Sequence, residues 1–114
     1  MATKEAVEKG LEKVKAKFEE NELKNAFKGF SKSVQFVYPD INFSYILNIT
    51  DGKVTEGKKS ILKKPDIILS MTSDTFLSIQ NKEITGRTAL AQGKIKITGI
   101  IGDLFLLETY LGNI

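Results

Sequence analysis

The sequence predicts an α/β domain of the α+β kind, with a mixed five-stranded sheet covered by helices. Three observations predict this class. The hydrophobic period changes from helical to alternating at Ser33, Asp51-Gly52 separates two alternating segments as a tight hairpin turn does, and two helical segments follow the fourth strand. A chain of 114 residues has room for one hydrophobic core, so we expect a single domain over residues 1–114.

Two helices, or one kinked helix, are predicted before the first strand. Val7, Leu11, Val14 and Phe18 recur at spacings of three and four, which places them on one face of a helix. The pattern breaks near Asn21 and resumes in a second short helix that Gly29 ends; its apolar residues are Leu23, Ala26, Phe27 and Phe30.

A three-stranded antiparallel meander is predicted next. Val34, Phe36 and Tyr38 alternate with more polar residues up to the turn at Pro39-Asp40, and a second alternating strand runs over residues 43–50. The third strand, from Lys53 to about Leu62, is poor in apolar residues, which is typical of an edge strand. The lysines that protect such an edge from unwanted pairing are Lys58, Lys59, Lys63 and Lys64.

The second half alternates strands and helices. After Pro65 the apolar strand of residues 67–71 leads to a helix with Ser73 as the expected N-cap, and a short helix then ends at Gly93. On the fifth strand Ile95 and Ile97 are expected to face inward, while Lys94 and Lys96 face outward. Because helices join the fourth and fifth strands, we expect the sheet to be mixed. A last helix begins near Gly102-Asp103 and is apolar over nearly half its circumference.

Composition argues against an enzyme. The chain has no cysteine and no histidine, so thiol chemistry, the common zinc sites and the usual neutral general base are excluded. The aspartates at 40, 51, 66, 74 and 103 all fall at predicted turns or helix starts, where turn and capping chemistry account for them. We therefore expect no catalytic residue, no metal and no cofactor.

Charge and hydropathy define the expected surroundings of the protein. The net charge is +3, but residues 1–32 hold eight lysines and six glutamates, so the charges are mixed rather than clustered. Lys94 and Lys96 have no aromatic neighbours on their strand, which argues against nucleic-acid binding. No apolar run follows the first five residues and none reaches the roughly 18 residues of a membrane-spanning helix, so we expect no signal peptide and a cytoplasmic protein.

Residues 65–99 carry a family resemblance. The strand Pro65-Asp66-Ile67-Ile68-Leu69-Ser70-Met71, the helix start Ser73-Asp74-Thr75-Phe76-Leu77 and the run Gln92-Gly93-Lys94-Ile95-Lys96-Ile97-Thr98-Gly99 follow one another in order. This arrangement resembles the sterol carrier protein type 2 domain, a small lipid-binding module, over roughly residues 20–111. The segment Gly99-Ile100-Ile101-Gly102-Asp103 departs from the family's usual Gly-Asn-Met-Gly-Leu type start of the last helix. This affects the mouth of the apolar ligand tunnel that the resemblance implies.

The resemblance implies an apolar tunnel closed by the C-terminal helix. Its expected lining is Phe76, Ile79, Leu90, Ile101, Leu104 and Phe105, and Gln92 would orient a polar head group there. The alternatives are ordinary core packing for the apolar residues, packing of Phe105 on the first helix, and capping of a helix end by Gln92.

The function expected from this resemblance is binding and transfer of a hydrophobic ligand, such as a fatty acid, a fatty acyl-CoA or an isoprenoid lipid, by a monomer or weak homodimer. The alternative is an accessory subunit of a lipid or quinone biosynthetic complex. The lysines at 58, 59, 63 and 64 either form a solvated edge or attract anionic membranes transiently during lipid exchange.

Overall fold

The computed structural model describes residues 3–20, 25, 27–59 and 65–99. In chain order the elements are α1 (Lys4–Lys17), β1 (Lys32–Tyr38), a 3₁₀ turn (Pro39–Ile41), β2 (Phe43–Thr50), β3 (Lys53–Lys59), β4 (Ile67–Met71), α2 (Ser73–Gln80), α3 (Gly86–Ala91) and β5 (Ile95–Thr98). Several sequence predictions fall outside the described residues, namely the last helix with Ile101, Leu104 and Phe105, the lysines at 63 and 64, and Leu23 and Ala26.

The strands form one mixed five-stranded sheet in the order β3-β2-β1-β4-β5, which confirms the predicted fold class and the edge position of β3. The sheet is mixed, but not because helices join the fourth and fifth strands, so the predicted reason was wrong. Strands β4 and β5 are antiparallel although α2 and α3 join them, and the parallel pair is β1 with β4. Because Met71 at the end of β4 pairs with Ile95 at the start of β5, the two helices together bring the chain back to the end of the strand it left.

One face of the sheet carries the hydrophobic core. Phe36 on β1 is opposite Tyr45 on β2 and Leu69 on β4, and these residues are buried on the face that also carries Val34, Tyr38, Phe43, Leu47, Ile49, Ile67, Met71 and Ile95. On the opposite face Gln35 and Ile46 pair and are both buried. The side-chain amide of Gln35 donates to the backbone oxygen of Tyr45 at 3.3 Å, which satisfies a polar group that would be costly to bury unpaired.

Helix α1 packs on the core face through the predicted stripe, since Val7, Leu11 and Val14 are buried on it. Phe18 and Phe27 meet edge to face with ring centroids 5.2 Å apart. Near the middle of α1, a Cβ added to Gly10 would lie 2.5 Å from Cε2 of Phe76. This glycine therefore permits the close approach of α1 to α2.

Turn aspartates hold distant segments together. At the β2–β3 hairpin Asp51 and Gly52 both have positive φ, as the predicted tight turn requires, and Asp51 Oδ1 accepts from the backbone N–H of Gly29 at 2.7 Å. Asp66 Oδ2 accepts from the backbone N–H of Ser33 at 2.9 Å. These two carboxylates accept from backbone N–H groups of distant segments, a role beyond the turn chemistry that the sequence predicts.

The predicted N-cap of α2 needs correction. The cap is Thr72, whose side chain accepts from the backbone N–H of Thr75, whereas Ser73 is fully buried and donates to Asp40. Thr72 takes this position because its backbone is extended, while Ser73 has already entered the helix.

Candidate lipid-binding site

Helices α2 and α3 begin with the same local arrangement. Thr72 Oγ1 accepts from the backbone N–H of Thr75 at 3.2 Å, and Thr85 Oγ1 accepts from that of Thr88 at 3.1 Å. Each capping hydroxyl also donates to the hydroxyl of the threonine three residues later, at 2.9 Å and 2.8 Å respectively. The spacing Thr-x-x-Thr therefore fixes both helix starts. In each pair the hydroxyl of the second threonine, Thr75 or Thr88, is held by the hydrogen bond from the capping hydroxyl.

The apolar site residues within the described ranges belong to one cluster. Phe76 and Ile79 are buried, and Leu90 is half-buried and packs against the same core. The ring of Phe76 meets that of Tyr38 edge to face with centroids 5.3 Å apart, and its other side faces α1 at Gly10. Phe76 and Ile79 are thus part of the hydrophobic core, and Leu90 packs against it. Whether they line a tunnel stays a prediction.

Gln92 lies at the C-terminal end of α3. Its backbone N–H donates to the carbonyl of Thr88 at 2.9 Å, and Gly93 follows with φ of 75°, so the helix ends here by backbone geometry. The Gln92 side chain is exposed and lines an open groove of about 730 Å³. The other residues of this polar groove are Asp74, Thr75, Ser78, Lys82, Glu83, Ile84, Thr85, Thr88 and Lys94.

The polar groove has one wall from α2 and another from α3 and the residues that follow it. The turn between the helices is fixed by backbone hydrogen bonds, from Lys82 N–H to Ile79 O at 3.1 Å and from Glu83 N–H to Ser78 O at 2.9 Å. Ile84 is the apolar member of the lining, and it packs partly buried against the hydrophobic core. The groove therefore meets the core at Ile84.

Sequence reasoning missed most of this groove, because its residues are individually ordinary surface residues. The repeated Thr-x-x-Thr spacing at 72–75 and 85–88 was a usable signal, since two helices with the same capping pattern follow one another closely. Across residues 3–20, 25, 27–59 and 65–99, no three His, Cys, Asp or Glu side chains are grouped so as to hold a metal ion. Within the same ranges no helix is long and apolar enough to cross a membrane.

The fold and the helix-covered apolar cluster define a small α+β domain of the sterol carrier type. The SCP-2 sterol transfer family matches residues 11–111, and this chain therefore belongs to that family. The family resemblance predicted from the sequence is confirmed, and the matched range includes the whole of the described sheet.

Solved structures with this fold include palmitated sterol carrier protein 2 like 2 from Aedes aegypti, with a TM-score of 0.69 and 22% identity over 92% of each chain. A ubiquinone synthesis protein, UbiJ-SCP2, has a TM-score of 0.60 and 16% identity over 99% of this chain and 92% of its own. The sec-alkylsulfatase Pisa1 from Pseudomonas sp. has a TM-score of 0.59 and 22% identity over 80% of this chain, which spans 14% of the sulfatase. At these identities the likeness is one of fold. No curated protein sequence matches the chain.

Proposed function

We propose that this protein binds a hydrophobic ligand reversibly and transfers it, without catalysing a reaction on it. The observation that carries the proposal is the membership of residues 11–111 in a sterol transfer family. The packing of Phe76 and Ile79 of α2 in the hydrophobic core, with Leu90 of α3 against it, supports it. An acyl chain inserted there would gain about 25 cal/mol for each Å² of apolar surface removed from water.

The ligand classes proposed are a fatty acid, a fatty acyl-CoA and an isoprenoid lipid. The palmitated relative of the same fold makes a 16-carbon fatty acid the first probe to use. We propose Ile101, Leu104 and Phe105 as the remaining apolar contacts and the cytoplasm as the location. These assignments rest on the family resemblance of the sequence, because the three residues lie outside the described ranges.

An accessory role in a biosynthetic complex is the second candidate. It is favoured by the ubiquinone synthesis protein, whose fold matches 99% of this chain. In that role the apolar surface of the predicted last helix would contact a protein subunit, and the protein would hold a lipid-like intermediate for that complex.

A fluorescent fatty acid titration tests the carrier function. Phe76→Leu changes the shape of the α2 contribution to the hydrophobic core. Phe18→Leu makes the same change at the C-cap of α1, where Phe18 packs against Phe27. If α2 contributes to the binding site, Phe76→Leu weakens uptake and Phe18→Leu does not, provided that both proteins unfold cooperatively. Phe105→Ala tests the predicted last helix in the same assay, and unchanged affinity would remove Phe105 from the site.

Native mass spectrometry of the purified protein separates the two candidate functions. If the protein is a lipid carrier, we expect a co-purified lipid on a monomer or weak dimer. Failure of the well-folded wild type to bind fatty acid, acyl-CoA or isoprenoid lipid at micromolar concentration would contradict it, and association with a biosynthetic subunit would then favour the accessory role. Turnover of acyl, phosphoryl or sulfate esters that a single carboxylate substitution abolishes would contradict the non-catalytic part of the proposal.

A further inference from the structure

We propose that the polar groove between α2 and α3 binds a phosphate group, and that this phosphate is the head group of the transported lipid. The inference deepens the proposed function and rests on it for the lipid part. Its basis is the set of unpaired donors that the groove collects, with Lys82 and Lys94 as the charged members.

Lys82 and Lys94 differ from the lysines that form ion pairs. Lys15, Lys17, Lys58 and Lys59 each form an ion pair with a glutamate at 3.0–3.1 Å. Neither Lys82 nor Lys94 takes part in an ion pair among residues 3–20, 25, 27–59 and 65–99. This holds although Glu83 is adjacent to Lys82 in the chain and also lines the groove. Two ammonium groups in one groove without a carboxylate partner attract an anion.

The backbone at Lys82 fixes where this lysine lies at the groove. Its φ is 61°, in the left-handed region where glycine and asparagine are found far more often than lysine. This is the left-handed position after the C-cap Asn81, and the N–H groups of Lys82 and Glu83 donate there to the last carbonyls of α2. The turn fixes the Lys82 backbone at the end of α2, at the edge of the groove.

Neutral donors complete the proposed site. Thr75 and Thr88 each accept a hydrogen bond from a capping threonine hydroxyl, so their own hydroxyl protons are available to a ligand in the groove. The exposed amide of Gln92 adds two further N–H donors. This excess of donors suits the three or four oxygens of a phosphate better than the two oxygens of a carboxylate.

Two carboxylates of the groove lining, those of Asp74 and Glu83, oppose the binding of an anion. Asp74 lies in the first turn of α2, where the positive end of the helix dipole stabilises its charge. Glu83 lies outside both helices, two residues before the Thr85 cap of α3, and its charge repels an anion in the groove. The proposal therefore expects Glu83→Gln to strengthen phosphate binding.

Size and position connect the groove to a lipid site. Its volume of about 730 Å³ falls within the roughly 300–1,000 Å³ of small-molecule sites, well above what a bare carboxylate needs. Ile84 belongs both to the groove lining and to the layer packed on the core. A head group in the groove would thus leave its acyl chain next to apolar side chains.

The test compares two lipids with the same 16-carbon chain, a lysophosphatidic acid and a monoacylglycerol. Lys82→Gln combined with Lys94→Gln should weaken lysophosphatidic acid binding about tenfold or more, as loss of charged hydrogen bonds predicts, and leave monoacylglycerol binding unchanged. The matched control is Lys96→Gln, an equally exposed lysine on β5 outside the groove lining, which should affect neither lipid. Glu83→Gln should raise lysophosphatidic acid affinity several-fold.

Equal lysophosphatidic acid affinity in wild type and the double variant would overturn the inference while leaving lipid binding intact. If neither lipid binds while the wild type still takes up a fatty acid, the assignment to a lipid head group fails, and glycerol 3-phosphate then decides whether the groove binds a phosphate. Amide shifts of Thr88, Gln92 and Lys94 that glycerol 3-phosphate causes in wild type but not in the double variant would support a phosphate site and overturn its assignment to a lipid. Absence of such shifts in wild type would overturn the site itself.

Discussion

Ser73 donates two hydrogen bonds to the carboxylate of Asp40, from its backbone N–H to Oδ1 at 2.8 Å and from its hydroxyl to Oδ2. The pair connects the turn after β1 to the start of α2, 33 residues further along the chain. Burial by itself raises the pKa of the Asp40 carboxyl, but these hydrogen bonds favour the charged form, and the pKa is lowered from its usual 3.8.

Removing the Ser73 hydroxyl should destabilise the protein. Ser73→Ala deletes one charged hydrogen bond and leaves a carboxylate oxygen less well satisfied, so we expect about 1–3 kcal/mol lower free energy of unfolding in a urea titration. Ser78→Ala makes the same change at a half-buried position of α2 that lines the groove, and it should cost less than about 0.5 kcal/mol. Equal stability of the two variants would contradict the structural role of the pair.

The lowered pKa of Asp40 predicts a pH dependence. The unfolded chain takes up this proton near pH 3.8, whereas the folded protein takes it up at lower pH, so the stability from this group is present above pH 3.8. It is lost as the pH falls through the folded pKa. Asp40→Asn should therefore lower stability at neutral pH and flatten the loss below pH 4, measured by urea titrations across that range. A parallel pH curve for the variant would exclude Asp40 as a source of the acid sensitivity.

The two glycines at close approaches should respond differently to the same substitution. A Cβ at Gly10 would lie 2.5 Å from the buried ring of Phe76, which has little room to move. We expect Gly10→Ala to destabilise by up to about 2 kcal/mol, because overpacking costs about 1–3 kcal/mol and the roughly 1 kcal/mol gain in helix propensity offsets only part of it. A more stable variant in thermal or urea unfolding would show that the ring yields easily.

A Cβ at Gly57 meets movable groups instead, namely the end of the Lys15 side chain at 2.5 Å and the hydroxyl of Tyr45 at 2.7 Å. Gly57→Ala should change the unfolding free energy by less than about 1 kcal/mol. Hydrogen bonding with Tyr45 is the main cause that raises the pKa of Lys15 above 10.5, so displacement of the lysine should bring that pKa back towards 10.5. An NMR titration of the Lys15 side chain measures this, and an unchanged pKa would mean that the contact survives.

The lysines of the β3 edge provide a prediction about membranes. Lys58 pairs with Glu56, and Lys59 pairs with Glu8 of α1, each at 3.0 Å, so part of their charge is locally compensated. If the edge still promotes collision with anionic bilayers, changing Lys58, Lys59, Lys63 and Lys64 to Gln should slow ligand transfer to anionic vesicles at low salt. At 1 M salt the effect should vanish, because screening then acts within about 3 Å. Neutral vesicles are the control, and wild-type transfer that is insensitive to salt and lipid charge would contradict the prediction.

Much of the fold could be predicted because the spacing of apolar residues along the chain indicates which segments are helices and which are strands. The α1 stripe, the alternation on β1 and β2 and the Asp51-Gly52 hairpin each depend on contacts between near neighbours in the chain. The parallel pairing of β1 with β4 could not be read in this way. This pairing depends on which distant strand packs beside β1, and no residue pattern in β1 or β4 identifies the other strand as its partner.

The site was predicted less completely, for a similar reason. Phe76, Ile79 and Leu90 were identifiable from the family pattern, and Gln92 from its place before Gly93. Lys82 and Lys94 were not assigned to a common site because they are 12 positions apart and each looks like a solvated surface lysine. Their common groove exists because α2 and α3 are both inserted between two strands that pair with each other. The capping of α2 by Thr72 rather than Ser73 depends on one residue of extended backbone, which propensity does not resolve.

The position of β5 in the sheet has a consequence for local unfolding. In the sheet order β5 is a terminal strand that pairs with β4, and the helix before it, α3, has only six residues. Opening this unit leaves β1 held between β2 and β4, so residues 86–98 should exchange their amide hydrogens faster than the central strands. The groove wall formed by Thr88, Gln92 and Lys94 belongs to that unit. A ligand that binds the groove would therefore slow exchange along α3 and β5 selectively, and the exchange pattern would reveal occupancy without any label on the ligand.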